Sequence, residues 1–427
     1  MEPEAFEERV RLPWSAAWGL AVLLAIFQIY AFRADLDATM PGDNDEVLHA
    51  TCARFVYDLM RGESAEGQDP LDPWIPHWSA GFPIMHHYQP LPWLTVASLG
   101  FVLRVEPESF FHVFAGVKLV LLALIPLSVV LGMRWMGWGP VAASAAAACA
   151  VFTADGHLFG LSHESFAMRG WGLFSQLWGT VLFMPVMGSL VDTVFRGRHL
   201  VRTGLLIAVL VLCHAIFVYI AALTGVVLLA VGASTPRLSR FLRLAAAGGL
   251  AGIIVSFYLV PNLWDLWAVN PRSVWVTAEK YDSIGLSKVF SFLVTGALFD
   301  AGRSLPLVST LVLFGAVLAA FRGPRLARAI LVCFVVWLLL YAGRLTWGSL
   351  VDYLPLGRNL HMHRLIVAVH LFGWVLAGTA AARMPRTPLL CVLLLSVICV
   401  SDRIDYAAEG ARDISELGSW RKYVASR

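Results

Sequence analysis

Long runs of apolar residues restrict how this chain can fold more than any other feature of its sequence. The runs lie near residues 14–32, 109–133, 139–153, 171–195, 204–216, 217–233, 244–262, 306–321, 329–343, 361–380 and 387–401. An α-helix needs about 20 apolar residues to cross the hydrocarbon core of a bilayer. Only 14% of the residues are charged, whereas soluble domains average about 25%. We therefore predict an all-α, polytopic membrane protein of about eleven transmembrane helices, which occupies residues 1–401.

Arginines beside the runs predict which side of the membrane each connection occupies. They stand at every second connection, at Arg9, Arg11, Arg134, Arg196, Arg198, Arg202, Arg237, Arg240, Arg243, Arg322, Arg325, Arg328, Arg383 and Arg386. By the positive-inside rule these connections and the N-terminus are cytoplasmic, and the remaining connections and the C-terminus are extracytoplasmic. We predict that the protein lies in the cytoplasmic (inner) membrane of a bacterium.

Two apolar stretches need separate treatment. A span at 91–103 would invert every later basic loop, and its Pro-Leu-Pro-Trp start suits an interfacial helix on the outer leaflet. The runs 204–216 and 217–233 are short, so we predict that two shortened helices meet at His214, below the outer surface. Irregular backbone at that depth needs polar partners, which predicts a water-filled cavity in the bundle.

Charge and cysteine content exclude several classes of protein. A net charge of +3 gives no reason to expect a nucleic-acid partner. Five of the six cysteines lie in apolar runs, so we predict neither a disulfide framework nor a zinc knuckle. The first run is long for a signal peptide and no small-residue cleavage site follows it, so we interpret it as a retained helix.

The polar stretch Pro41–Trp93, within a first extracytoplasmic loop at 33–108, gathers carboxylates, histidines and aromatic residues between two apolar regions. Asp43, followed three residues later by Glu46, predicts a helix N-cap with its capping-box partner. On the helix that follows, Asp45 and His49 lie one turn apart and project from the same face. The alternative interpretation is a solvated helix start without chemistry.

Other reactive side chains also fall in or near the predicted outer connections, and each alone has a structural explanation. Glu164 fits a solvated loop acid, Arg169 a snorkelling arginine at the boundary, and His214 a hydrogen bond between helices. Lys118 is different because it lies inside a span, about two turns below the outer surface, where an ammonium group needs a partner or water. Lys118 therefore predicts an anion in the cavity.

Six short motifs resemble a known family. They are GDNDEVLH at Gly42–His49, GFPIMHHYQPLPW at Gly81–Trp93, MRGWG at Met168–Gly172, LCH at Leu212–His214, FYLVPNLW at Phe257–Trp264 and LPLGRNLHMHRL at Leu354–Leu365. In this order they resemble the bacterial membrane proteins labelled 6-pyruvoyl-tetrahydropterin-synthase-related, whose members are similar to GT-C glycosyltransferases. The label names a soluble enzyme and does not describe the activity of the membrane family.

The resemblance implies sugar transfer from a polyprenyl-phosphate-linked donor on the extracytoplasmic face, to a glycan, lipid or protein acceptor. It implies essential carboxylates in the first two outer loops, where Asp45 and Glu164 stand, with Asp45 as base and His49 beside it. The predicted substrate-binding residues are Lys118, Arg169, His214 and Arg364 around the phosphate, and Trp74, Trp78, His87, Tyr88 and Trp93 at an aromatic rim against the sugar.

Two departures from the family pattern qualify these expectations. The second outer loop lacks an Asp-x-Asp motif, so a divalent cation, Mg²⁺ or Mn²⁺, held by Asp45, His163 and Glu164 is one alternative and metal independence the other. The family tends to continue into a soluble outer domain, whereas this sequence ends after the extracytoplasmic segment 402–427. That segment is either the start of such a domain or a short tail.

Two other functional classes remain open from the sequence. Transporters also place charged residues in a cavity between broken helices, so a carrier of a lipid-linked or anionic substrate is one alternative. A catalytically inactive assembly subunit that kept the fold is the other, because fold alone does not determine function.

Overall fold

A computed structural model of the protein describes residues 8–37, 44–63, 68–75, 81–167, 170–231, 235–265, 277–386, 399–401, 404–405 and 408. Helices form nearly all of the regular structure in these ranges. The strands β1 (Trp74–Ile75) and β2 (Phe82–Pro83) pair antiparallel, with Trp74 opposite Pro83.

The first half of the described chain contains eight α-helices. They are α1 (Trp14–Phe32), α2 (Asp45–Met60), α3 (Ile84–His87), α4 (Leu91–Val102), α5 (Phe110–Met136), α6 (Pro140–Phe152), α7 (His163–Phe166) and α8 (Phe174–Val191). Short 3-10 turns cover Arg33–Asp37 and Pro107–Ser109, and a π-helix covers Asp192–Arg196. The helices α5 and α8 pack along each other, and α1 packs on α5.

The second half adds ten α-helices among its described residues. They are α9 (Leu200–Cys213), α10 (Ala215–Ala230), α11 (Arg237–Ile254), α12 (Ser256–Asp265), α13 (Ala278–Asp282), α14 (Leu286–Thr295), α15 (Leu307–Arg322), α16 (Arg325–Tyr341), α17 (Arg344–Trp347) and α18 (Ile366–Arg383). Further 3-10 turns cover Gly348–Tyr353, Gly357–Asn359 and Met362–Leu365.

Helix α18 forms the centre of the bundle. Its residues from Ile366 to Ala382 are all buried, and it packs against α6, α15 and α16. A Cβ atom on Gly315 of α15 would lie 1.8 Å from the carbonyl oxygen of Leu376, so only glycine allows this close approach. The indole of Trp374 donates a hydrogen bond of 2.8 Å to Thr153 Oγ1, which ties the end of α6 to the same core.

The predicted number of eleven spans is not confirmed. Among the described residues, four helices are long and apolar enough to cross a membrane, or up to six if each of two bent pairs counts as one span. Helices α6, α9, α10 and α15 follow predicted apolar runs but are shorter than that criterion requires. A helix of 13 to 16 residues is about 20 to 24 Å long, less than the thickness of the bilayer core. The last predicted run, 387–401, lies almost wholly outside the described residues.

Two predicted local features can be compared with the structure directly. Helices α9 and α10 meet at His214, whose backbone is extended, as the sequence predicted. The capping-box prediction is wrong, because α2 begins at Asp45 with Asn44 as its N-cap residue, and Glu46 points into the protein. Asp43 lies outside the described residues.

Candidate active site

The N-terminal turn of α2 presents two neighbouring carboxylates to different surroundings. The Asp45 side chain is 47% exposed, and its Oδ2 lies 4.0 Å from the Arg364 guanidinium. Glu46 is buried, and its Oε1 accepts a 2.6 Å hydrogen bond from the Lys118 ammonium. Successive helical residues point about 100° apart. Asp45 therefore faces the accessible surface beside Arg364, which we call the opening, while Glu46 faces the core.

Lys118 is the cation of a buried triad. Its Nζ lies 2.8 Å from Asp35 Oδ2 and 2.6 Å from Glu46 Oε1, and only 3% of its side chain is exposed. An ammonium group in an apolar core needs this compensation. The prediction that Lys118 binds a substrate anion is therefore corrected, since its charge is already matched by two carboxylates and is closed off from solvent.

Phe159, before α7, and Trp171, after it, form an aromatic floor beside Asp45. The Phe159 and Trp171 rings stack with centroids 4.1 Å apart. The Arg364 guanidinium lies 5.0 Å from the Phe159 centroid, and the Lys280 ammonium lies 5.1 Å from it. Each cation is within the range of a cation–π interaction. Two positive groups thus converge on one aromatic surface beside Asp45.

Gln176, at the start of α8, forms hydrogen bonds both to the backbone at Phe159 and to the Arg364 side chain. Its amide nitrogen donates to the carbonyls of Phe159 and Gly160, and its amide oxygen accepts from Arg364 Nη1 at 3.2 Å. Phe159 has a positive φ of 63°, a conformation that costs energy for a bulky residue and is found preferentially at functional sites. Gln176 is a site residue that sequence reasoning missed, because an amide at a helix start gives no distinctive pattern.

The loop between α7 and α8 contacts the start of α2. The side-chain amide of Asn44 donates a 3.1 Å hydrogen bond to the carbonyl of Gly170. Gly172 has φ +62°, and a Cβ atom there would lie 2.6 Å from the Glu46 backbone nitrogen. A residue with a side chain at position 172 would therefore push the loop away from the Asp45 helix.

His49 lies one turn below Asp45 in an aromatic cluster. Its Nδ1 accepts a 2.9 Å hydrogen bond from the Trp93 indole, and its ring lies edge-on to Tyr88 at 5.4 Å. The Tyr88 hydroxyl is 3.2 Å from Ser175 Oγ. Burial lowers the pKa of His49 to about 3, with a further lowering from Arg364, so the imidazole is neutral. Trp93 is fully buried, which corrects its predicted place in an exposed aromatic rim.

The remaining predicted residues divide into those near this opening and those apart from it. His214 lies within electrostatic reach of Arg364 and His49, and its Nδ1 is buried without a hydrogen-bond partner among the described residues. Glu164 accepts a 3.0 Å hydrogen bond from the His157 backbone amide, so it is held within its own loop. His87 stacks on Phe82 at 4.8 Å. Arg169 and Trp78 lie outside the described residues.

The electrostatic balance at Asp45 suits a proton acceptor. Burial raises the pKa of Asp45, while the charges of Arg364 and Lys280 lower it. Although the side chain keeps 47% of its surface accessible, the protein around the opening desolvates the carboxylate. Arg364 lies 4.0 Å from Asp45 Oδ2, which is beyond hydrogen-bond distance, so this contact leaves the Asp45 oxygens accessible.

The described residues do not form a three-ligand metal site. No group of three or more His, Cys, Asp and Glu side chains within the described ranges could hold a metal ion. Asp45, His163 and Glu164 thus do not form such a group, and a divalent cation at Asp45 stays a prediction.

Comparison of the fold with solved structures finds membrane glycosyltransferases. The chain is similar to the arabinofuranosyltransferase AftD from mycobacteria, with 13% identity over 95% of this chain and 28% of that protein, at a TM-score of 0.57. It is also similar to the Archaeoglobus fulgidus oligosaccharyltransferase with a tethered acceptor peptide, with 12% identity over 93% of this chain and 55% of that protein, at a TM-score of 0.57. The A. fulgidus oligosaccharyltransferase AglB in complex with an inhibitory peptide and dolichol-phosphate matches with 12% identity over 93% of this chain and 56% of that protein, at a TM-score of 0.56.

These similarities define the class of fold. The chain has a fold similar to that of GT-C glycosyltransferases and is a membrane protein. It spans from about a quarter to somewhat more than half of the length of these structures. No family model and no curated protein matches the sequence, so the resemblance to the 6-pyruvoyl-tetrahydropterin-synthase-related family is not supported.

Proposed function

We propose that this protein is a GT-C-type glycosyltransferase that uses a polyprenyl-phosphate-linked sugar as donor on the extracytoplasmic face of the membrane. The observation that carries the proposal is the arrangement of Asp45, an accessible carboxylate, beside the cations of Arg364 and Lys280 on an aromatic floor. The glycosyltransferase fold supports this interpretation, as does the dolichol-phosphate in one of the similar structures.

In the proposed reaction Asp45 acts as general base. Its carboxylate takes the proton of an acceptor hydroxyl, the acceptor oxygen forms a bond to the anomeric carbon, and the bond from that carbon to the phosphate oxygen breaks. The electron pair of the broken bond stays on the leaving lipid phosphate. Arg364 and Lys280 stabilise the charge that develops there, as cationic groups do in phosphoryl and glycosyl sites. The proton on Asp45 then passes to solvent through the opening.

The aromatic residues and the neutral histidines have positioning roles in this proposal. Phe159 and Trp171 offer stacked faces for the apolar surface of a sugar. His49 and Tyr88 line the side below Asp45, and the unpartnered Nδ1 of His214 is available for a hydrogen bond to the donor. The proposal also keeps three roles that the family resemblance implies. Glu164 is an essential carboxylate, Arg169 lies near the phosphate, and Trp78 belongs to the aromatic rim against the sugar.

The test is sugar transfer by the purified full chain in nanodiscs, with a panel of polyprenyl-phosphate-linked pentoses and hexoses. Asp45→Asn should lower transfer by about 10² to 10⁴-fold, the usual loss when a general base is removed. Binding of polyprenyl phosphate should change little, because Asp45 does not contact the phosphate in this proposal. Asp58→Asn is the matched control, since Asp58 lies on the same helix and pairs at 2.7 Å with Arg54.

Two results would contradict the proposal in different ways. Wild-type transfer by Asp45→Asn would remove Asp45 as the base. A wild-type protein that transfers no sugar from any donor, but exchanges polyprenyl phosphate across vesicle membranes, would establish the carrier alternative. The bends of 86° between α11 and α12 and of 80° after α16 keep that alternative worth testing, because carriers use broken helices. Dialysis against a chelator tests the predicted divalent cation in the same assay.

A further inference from the structure

Three arginines from separate parts of the chain line one cavity at the opposite end of α18 from the candidate active site. The cavity has a volume of about 420 Å³ and is lined by Arg9, Phe314, Leu318, Arg322, Arg383, Met384 and Pro385. It lies where α15 and α18 both end, since these helices finish at Arg322 and Arg383. The backbone amide of Arg9 donates a 3.0 Å hydrogen bond to the carbonyl of Ala382, which fixes the N-terminal segment at this rim.

The charge of the lining favours an anion. Three of the seven described residues that line the cavity are arginines, and none of the seven is acidic. Glu8, the acidic neighbour of Arg9, is engaged elsewhere, because its Oε1 accepts a 3.0 Å hydrogen bond from the backbone amide of Ala142 at the start of α6. Guanidinium groups match phosphate oxygens with paired hydrogen bonds, so an ionised phosphate suits the site better than a neutral polar group.

The apolar surroundings distinguish a lipid from a free anion. Phe314 and Leu318 form one wall of the cavity, and the outer side of α15 continues with Phe314, Val317 and Phe321, which are 42%, 53% and 81% exposed. Exposed large apolar side chains next to a basic pocket present a surface for an acyl chain beside a surface for its headgroup. A free phosphate has no acyl chain and would not contact these exposed apolar side chains.

We propose that this cavity, the Arg9–Arg322–Arg383 cavity, binds the phosphodiester headgroup of an anionic phospholipid whose acyl chain lies along α15. All three arginines belong to connections that the positive-inside rule places in the cytoplasm, where the anionic leaflet attracts basic clusters. The lipid would join the N-terminal segment to the ends of α15 and α18. It would act away from Asp45, so the inference does not depend on the proposed sugar transfer.

The experiment compares two triple variants of the full chain that lose the same charge. One carries Arg9→Gln, Arg322→Gln and Arg383→Gln, and the control carries Arg237→Gln, Arg325→Gln and Arg328→Gln, at exposed arginines that do not line the cavity. Each protein is placed in phosphatidylcholine nanodiscs with or without phosphatidylglycerol, and native mass spectrometry counts the phosphatidylglycerol molecules retained. Each basic residue near an anionic surface contributes about fivefold, so three together should weaken retention on the order of 10²-fold.

Retention in the wild type and in the control variant, with loss in the cavity variant, would support the proposal. Equal retention in all three proteins, or equal loss in both variants, would overturn it, because surface charge in general would then explain binding. Inorganic phosphate added to phosphatidylcholine nanodiscs is the arm for a free anion, and thermal protection equal to that by phosphatidylglycerol would overturn the lipid assignment. The single variant Arg322→Glu, at an exposed helix end, gives the same comparison if the triple variant does not fold.

Discussion

Asp45 and Glu46 are neighbours in the sequence, yet they occupy opposite electrostatic environments. Glu46 is buried, and the Lys118 ammonium lies 2.6 Å from it and 2.8 Å from Asp35. The Asp45 side chain is 47% exposed and lies 4.0 Å from Arg364. The first carboxylate is neutralised by close contact. The second keeps an accessible side chain, and burial raises its pKa more than Arg364 and Lys280 lower it.

One turn of α2 therefore carries both a structural contact and the proposed reacting group. The triad fixes the start of α2 to α5 and to the turn after α1, so Asp45 is presented on a rigid base. A reacting group gains from such a base, because misplacement by about 1 Å can cost on the order of 10²-fold in rate. In the proposed reaction Glu46 and Lys118 are positioning residues, and Asp45 is the catalytic residue.

The largest expected effect is the loss of stability in Lys118→Met, which breaks the buried triad of Asp35, Glu46 and Lys118. The change removes the Lys118 ammonium from two buried carboxylates, and breaking a buried ion pair costs about 3 to 5 kcal/mol. Thermal or denaturant-induced unfolding in detergent measures the loss. The combined variant Asp35→Asn, Glu46→Gln, Lys118→Met should recover much of the stability because it removes the charges of the triad together. An unfolding midpoint like the wild type in Lys118→Met, with loss of lipid-phosphate binding, would instead restore Lys118 as a substrate ligand.

Arg364→Gln tests the proposed role of Arg364 in stabilising charge on the leaving phosphate. We expect transfer to fall by about 10² to 10³-fold, the scale for removing one group that stabilises developing charge. Arg364→Lys should recover part of the rate, since the charge remains but the paired geometry of the guanidinium is lost. Arg358→Gln is the control, because Arg358 is an exposed arginine of the same segment. A stability loss in Arg364→Gln as large as that of Lys118→Met would erase the distinction between the two regions.

The pH dependence of transfer gives the smallest and most specific effect. Transfer should rise with pH as Asp45 loses its proton, and burial places that step above the ordinary aspartate pKa of 3.8. Arg364→Gln should move the step further up, because Arg364 lowers the pKa of Asp45. His49 should give no step near 6.5, since burial lowers its pKa to about 3. A profile of kcat/KM that steps near 6.5 and loses this step in His49→Gln would assign the base to His49.

The sequence predicted the positions of the helices better than it predicted the side-chain contacts between them. Apolar runs fix where helices form, so α1, α5, α8 and α18 follow predicted runs, and the break at His214 was foreseen from the length of the segment. The loops that carry Asp45 and Arg364 were also expected to share one site, and these residues lie 4.0 Å apart. Periodicity and polarity are local properties, and they are sufficient for the helices and the break, whereas the placing of Asp45 and Arg364 in one site came from the family resemblance.

The errors concern pairings that no local pattern encodes. Glu46 has the right spacing for a capping box, but burial beside Lys118 outweighs a cap worth about 0.5 to 2 kcal/mol. Lys118 was correctly expected to need a partner, and the partners proved to be side chains of this protein. Gln176 binds both Phe159 and Arg364, and Arg364 is 188 residues from Gln176 in the sequence, so only the folded chain displays this connection.

The separation in sequence of these two groups sets an order of assembly. Asp35, Glu46 and Lys118 all belong to the first part of the chain, so the triad is complete once α5 has been made. The Asp45 opening needs Arg364, which lies about 320 residues later. At ribosomal speeds of about 5 to 20 residues per second, Asp45 waits on the order of tens of seconds for that arginine. A nascent chain therefore acquires the buried triad first and its proposed activity only after Arg364 has been made, so a chain that stops between the two would carry the base without this cation.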